Sequence, residues 1–111
     1  MCTDTLSVTK SKSDTFLLCT IEGIIGDNNC RELQRRIRSS ACSTTVVIDL
    51  SKVPSLSSTG LGALISLIEY AQEAERCFYL MNPSTAVRLL IDSTGFPELF
   101  PIIKGLDEIE N

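Results

Sequence analysis

The chain contains no histidine and no tryptophan. Without histidine, neither a Ser-His-Asp triad nor a Cys-His pair can be assembled from this chain alone. The commonest non-sulfur zinc ligand is missing too, and the cysteines include no C-x-x-C. Aromatic residues make up only 5%, so the core must be aliphatic and no stacking platform for bases is available. The spacings G-x-S-x-G of a nucleophile elbow and G-x-x-x-x-G-K-[ST] of a phosphate loop do not occur. Carboxylates are scattered over charged stretches, and no pair stands out as an acid/base dyad. No apolar run approaches the roughly 20 residues that cross a bilayer. Residues 1–14 are too polar for a signal peptide. These absences predict a protein that is not an enzyme, holds no cofactor or metal, does not insert in a membrane and resides in the cytoplasm.

What is present fits one domain spanning residues 1–111, with 43% apolar residues to build a core. The net charge of −4 argues against a nucleic-acid partner. A local basic cluster, Arg31, Arg35, Arg36 and Arg38, reads as the solvated face of one helix, since no aromatics interleave with it. Five cysteines (Cys2, Cys19, Cys30, Cys42, Cys77) are odd in number and widely spaced. Cys19 and Cys77 are expected to sit in strands as small apolar residues, in a reducing compartment.

Residues 5–11 and 15–22 alternate as two strands, with Ser-Lys-Ser-Asp between them as the turn of a hairpin. Asp27, Asn28 or Asn29 is placed to cap a helix running to about Ser39, with Leu33 and Ile37 buried. Residues 39–44 read as a small-residue connector. Residues 45–50, TVVIDL, are nearly all apolar, as in a central strand covered on both faces. Leu61, Leu64, Ile65 and Ile68 then recur at helical spacing. A strand is expected over 77–81 and a third helix from Asn82-Pro83-Ser84, with Pro83 near its first position and Gly95 as its C-terminal cap. Phe100 to Ile103 predicts a short last strand, followed by an acidic tail with Asp107, Glu108 and Glu110. The order β-β-α-β-α-β-α-β implies an α/β fold with parallel strands and right-handed crossovers after the hairpin. Function in such sheets gathers beyond the carboxyl ends of the strands.

The stretch at that position is VVIDLSKVPSLSSTGLG, residues 46–62. It runs from a buried strand through a polar turn to Ser57, Ser58 and Thr59, then Gly60-Leu61-Gly62 at the start of a helix. Hydroxyls there serve ordinarily as an N-cap worth about 1 kcal/mol. The same place also suits phosphate, because free N–H groups and the helix dipole point at it. Gly60 and Gly62 admit either close packing of helix on strand or close approach by a partner. Ser93-Thr94-Gly95-Phe96 echoes the motif, but at a helix C-terminus, where the dipole opposes negative charge.

An apolar strand ending Asp49-Leu50-Ser51, a short turn, and Ser58-Thr59-Gly60-Leu61-Gly62 opening a helix resembles the STAS domain, and most closely the stand-alone bacterial anti-sigma factor antagonists. Asn82-Pro83-Ser84 and Thr94-Gly95-Phe96 support the likeness along nearly the whole chain. The resemblance implies a mixed sheet of about 4–5 strands flanked by about 4 helices. It implies a non-enzymatic antagonist that binds an anti-sigma factor with serine kinase activity, is released by phosphorylation of Ser58, and is reset by a phosphatase. Ser57 and Thr59 are the alternative acceptors, and the partner-binding set is Ser57, Ser58, Thr59, Gly60, Leu61, Gly26 and Asp27. Two positions depart from the family pattern. Ser57 stands where an aspartate usually precedes the acceptor, and Gly26, with Asp27 one place on, stands where the loop before the first helix often carries an acidic contact. Asp49 matches the family's strand-end aspartate; a local role on the turn backbone is equally open. The alternative function is a non-phosphorylated STAS adaptor in a signalling scaffold or a lipid-transport complex. A nucleotide or small-molecule sensor at the same helix start is disfavoured by the missing cradle.

Overall fold

The computed structural model describes residues 7–95 and 100–106. The strands are β1 (Ser7–Lys12), β2 (Phe16–Glu22), β3 (Thr45–Lys52), β4 (Phe78–Met81) and β5 (Ile102–Ile103). The helices are α1 (Cys30–Ser43), α2 (Ser58–Glu73) and α3 (Thr85–Ser93). One sheet holds all five strands in the order β1-β2-β3-β4-β5. β1 and β2 form the expected antiparallel hairpin, and β2–β3, β3–β4 and β4–β5 pair in parallel. The element order is therefore the one the strand–helix alternation implies. Among the described residues there are three helices, where about four were expected; residues 5–6, Phe96 and the acidic tail lie outside them.

Alternation along the strands divides the apolar residues between the two faces of the sheet. Leu17, Cys19, Ile21, Val46, Ile48, Leu50, Phe78 and Leu80 join the main core with Leu33 and Ile37 of α1, Leu64 and Leu67 of α2, and Val87 and Ile91 of α3. Phe16, Val47 and Ile103 form a smaller cluster with Leu18, Tyr79 and Met81. Val46, Val47 and Ile48 are all fully buried, so β3 is covered on both faces as its continuous apolar run requires.

Three local expectations are corrected. The segment 39–44 is not a connector, because α1 continues to Ser43. The extra turn buries Ala41, and Ser43 Oγ bonds back to the Ser39 carbonyl at 2.7 Å. Pro83 lies outside α3: Ser84 is the N-cap, its hydroxyl accepting from Val87 N, and Asn82 before it holds a positive φ of 51°. Cys19 is buried in β2 as expected, and desolvation pushes its thiol pKa up, against a smaller opposing influence of Lys10. Cys77, however, is exposed and precedes β4, since that strand starts at Phe78.

Candidate functional site

The carboxyl ends of β2 and β3 lead into two loops that are bonded to each other. Ile25 N donates to Ser55 O at 3.2 Å, Ser57 N donates to Ile25 O at 2.9 Å, and Ile25 and Leu56 form an isolated parallel bridge. These bonds satisfy main-chain groups around the buried Ile25 and Leu56. They also carry the residues before α1 up to the residues before α2, across about thirty positions of sequence.

Within the first loop, Asn29 occupies the N-cap position of α1, yet its side chain does not cap the helix. It is buried and turns back on the loop, its Oδ1 accepting from Gly26 N at 2.9 Å and its Nδ2 donating to Ile24 O at 3.0 Å. The residue thus fixes the shape of the loop that presents Gly26 and Asp27. Asp27 is exposed.

The second loop ends in the three hydroxyl residues, and the structure gives each a different place. Ser57 is the N-cap of α2: its Oγ accepts from Gly60 N at 3.0 Å, and its carbonyl receives Leu61 N at 2.9 Å. The same Oγ donates to Asp27 Oδ1 at 3.0 Å. Ser58 is the first residue of the helix and is exposed; Thr59 follows and is exposed as well. The ordinary role of a hydroxyl at this junction is therefore filled by Ser57, and the hydroxyl of Ser58 is left facing solvent at the positive end of a 16-residue helix.

Gly60 and Leu61 are buried beneath this tip. A Cβ on Gly60 would stand 2.7 Å from Leu56 Cδ1, 2.8 Å from Ile25 Cγ2 and 3.3 Å from Ile25 O. Of the two readings of Gly60, close packing is the one its surroundings describe: the glycine lets the helix seat on the joined loops. Gly62 is exposed, with open space where its Cβ would be. Asp49 accepts from Ser51 N at 3.0 Å, a local turn contact.

Beside the tip runs an open groove of about 600 Å³ between α1 and α2, lined among others by Asp27, Arg31, Gln34, Thr59 and Ser66. Arg31 is the basic-cluster residue that reaches it. Arg35 pairs with Glu32, and Arg38 stacks over the Tyr70 ring at 4.4 Å. The cluster is thus spread along an exposed helix face, with Arg35 and Arg38 engaged by different partners. From the other side, Ser84 at the start of α3 donates to Val53 O at 2.6 Å, tying that helix to the loop before α2. Among the described residues no group of three His, Cys, Asp or Glu is placed to hold a metal ion, and no helix is long and apolar enough to cross a membrane.

The structure brings Gly26, Asp27, Ser57, Ser58 and Thr59 to one end of the sheet and places Gly60 and Leu61 below them. Sequence reasoning missed Arg31 as a groove residue and the Asp27–Ser57 bond. Arg31 lies only four residues past Asp27 in the sequence, but nothing local signals that the two loops touch.

The STAS domain model matches residues 7–109. The chain belongs to the STAS domain family. Among curated proteins it is 22% identical over 99 residues to the Bordetella bronchiseptica protein provisionally named anti-sigma factor antagonist BtrV, covering 87% of this chain and 85% of that one. Among solved structures it is similar to an anti-sigma factor antagonist from Mycobacterium paratuberculosis, with a TM-score of 0.83, 27% identity, and coverage of 96% and 92% of the two chains. The anti-sigma factor antagonist SpoIIAA, at 13% identity, shares the fold. Its unphosphorylated form superposes with a TM-score of 0.76, covering 94% of each chain. Its phosphorylated form, from Bacillus, gives 0.70, covering 94% of this chain and 97% of that one. The STAS fold here is thus an α/β arrangement of a five-strand mixed sheet and three helices among the described residues.

Proposed function

We propose that this STAS domain is an anti-sigma factor antagonist of a partner-switching pathway, a binding protein rather than an enzyme. Unphosphorylated, it binds an anti-sigma factor through the end of the sheet that carries Asp27 and Ser57 to Thr59. The observation that carries the reading is the division of labour among the hydroxyls. Ser57 is spent on the cap, whereas Ser58 is exposed one residue inside the helix. The antagonist names borne by the similar proteins, and the existence of SpoIIAA in two phosphorylation states, support it.

The switch is phosphoryl transfer from ATP to Ser58 Oγ by the partner's kinase activity. The hydroxyl gives up its proton, the new P–O bond forms, and ADP leaves. A phosphatase resets the serine by hydrolysis, releasing inorganic phosphate. A phosphate brings about −1.5 to −2 charges at pH 7. At a helix N-terminus the fold accommodates it, so its effect falls on the docked partner, which meets new charge and bulk at the centre of the interface.

Incubation with the cognate kinase anti-sigma factor and ATP should place phosphate on Ser58, read by intact mass and site mapping. A Ser58→Ala chain phosphorylated to the same extent would remove Ser58 from this role. A chain that stays unmodified in its native cells, with a constant non-kinase partner, would favour the adaptor reading instead.

A further inference from the structure

The hydrogen bond from Ser57 to Asp27 gives one hydroxyl two tasks. Ser57 Oγ accepts from Gly60 N and donates to Asp27 Oδ1, both at 3.0 Å. Asp27 and Arg31 line the same groove, whose opposite wall begins with Thr59. Glu32, the next residue along α1, is already paired with Arg35. The main chain of the loop does not depend on Asp27, because Ile25 is bonded to Ser55 and Ser57, and Asn29 ties Ile24 and Gly26. The Asp27 carboxylate can therefore leave Ser57 while the loop keeps its course.

We infer that Asp27 and Arg31 form an intramolecular sensor of negative charge at Ser58. In the unmodified chain Asp27 holds the Ser57 hydroxyl. A phosphate on Ser58 expels the carboxylate and draws the Arg31 guanidinium toward the helix tip. The inference rests on Ser58 being the acceptor, as proposed above. Ser58 is one peptide from Ser57, and consecutive Cα atoms are about 3.8 Å apart. The phosphate and the carboxylate are thus brought within about one Debye length, 8–10 Å, where salt screens them incompletely. Arginine presents a planar fork of donors that matches phosphate oxygens. The modification then alters the α1 wall of the groove as well as the tip of α2, and a docked partner loses its fit on two elements at once.

The test uses the full chain with phosphoserine incorporated at position 58 during synthesis, so no kinase is needed. Urea unfolding is measured for the unmodified and phosphorylated chains, each with and without Asp27→Asn. In the unmodified chain the substitution leaves Ser57 an acceptor but removes its charge, and should lower the folding equilibrium constant about two- to fivefold. In the phosphorylated chain that penalty should vanish or reverse, and Arg31→Gln should cost about two- to fivefold there only. The difference should shrink in about 1 M salt, where the Debye length falls to about 3 Å. An Asp27→Asn penalty of equal size in both forms, or none in the unmodified chain, overturns the inference; equal Arg31→Gln effects in both forms remove Arg31 from it. Failure of a kinase to modify Ser58 would count against the proposed function alone.

Discussion

Two stretches of this chain carry nearly the same letters. Ser58-Thr59-Gly60 opens α2, and Ser93-Thr94-Gly95 runs over the end of α3. In the first, the hydroxyls of Ser58 and Thr59 face solvent, and the glycine is buried against two loops. In the second, Ser93 Oγ donates to Leu90 O at 2.6 Å and Thr94 Oγ1 donates to Ile91 O at 2.8 Å. There the glycine takes a φ of +81° past the helix end, with open space around it. The chemistry of the motif is thus set by which helix end it meets. An N-terminus offers donors and leaves hydroxyls available as acceptors of phosphate. A C-terminus offers carbonyls, and the hydroxyls are spent satisfying them.

The largest effect that separates the two sites is on binding. Ser58→Asp should lower affinity for the anti-sigma factor at least a hundredfold, about 3 kcal/mol, while changing the melting temperature little. Ser93→Asp should leave affinity unchanged and cost about 0.3–1 kcal/mol of stability through the dipole. Calorimetric titration and thermal melts read both; equal affinity losses would erase the distinction between the helix ends.

The glycines give the next contrast. Gly60→Ala forces a Cβ to 2.8 Å from the branched Cγ2 of buried Ile25, and overpacking of this kind costs about 1–3 kcal/mol. Gly95→Ala meets no atoms but must hold a left-handed φ, at about 1 kcal/mol. Urea midpoints should fall in that order, and a Gly60→Ala chain as stable as the parent would show that the loops give way.

Ser57→Ala should remove about 1 kcal/mol by deleting the N-cap, and Ser58→Ala should remove almost none. Were the two reversed in a denaturation series, Ser58 would be the cap and Ser57 the available hydroxyl. The last expected change has the opposite sign. Gly62→Ala, in an exposed helix turn with room for a methyl, should stabilise by about 0.5–1 kcal/mol. Partner affinity, measured alongside, then reports whether anything approaches the helix there.

Much of this was legible in the sequence, and for local reasons. The run Val46-Val47-Ile48 needs burial on both faces, and the spacing of Leu61, Leu64 and Ile68 needs one buried stripe; each pattern marks its element without help from the rest of the chain. The strand–turn–helix junction and the structural reading of Ser93-Thr94-Gly95 followed from the same logic. What escaped was set by contacts at a distance. α1 runs on to Ser43 because Ala41 finds the core, which a small-residue stretch does not announce. Cys77 is apolar by type but falls one residue before β4 and is exposed. The Asp27–Ser57 bond exists only because main-chain bonds at Ile25 zip two loops together.

The strand order β1-β2-β3-β4-β5 is also the order of synthesis. Each strand after the first pairs with the one made just before it, so each pairing closes either the hairpin turn or a single helical crossover, and no later described segment must be threaded between earlier ones. As the chain emerges, the sheet can grow from one edge to the other. The bonds that join the loops bearing Asp27 and Ser58 run directly between them, and neither α3 nor β5 supplies a partner to those bonds.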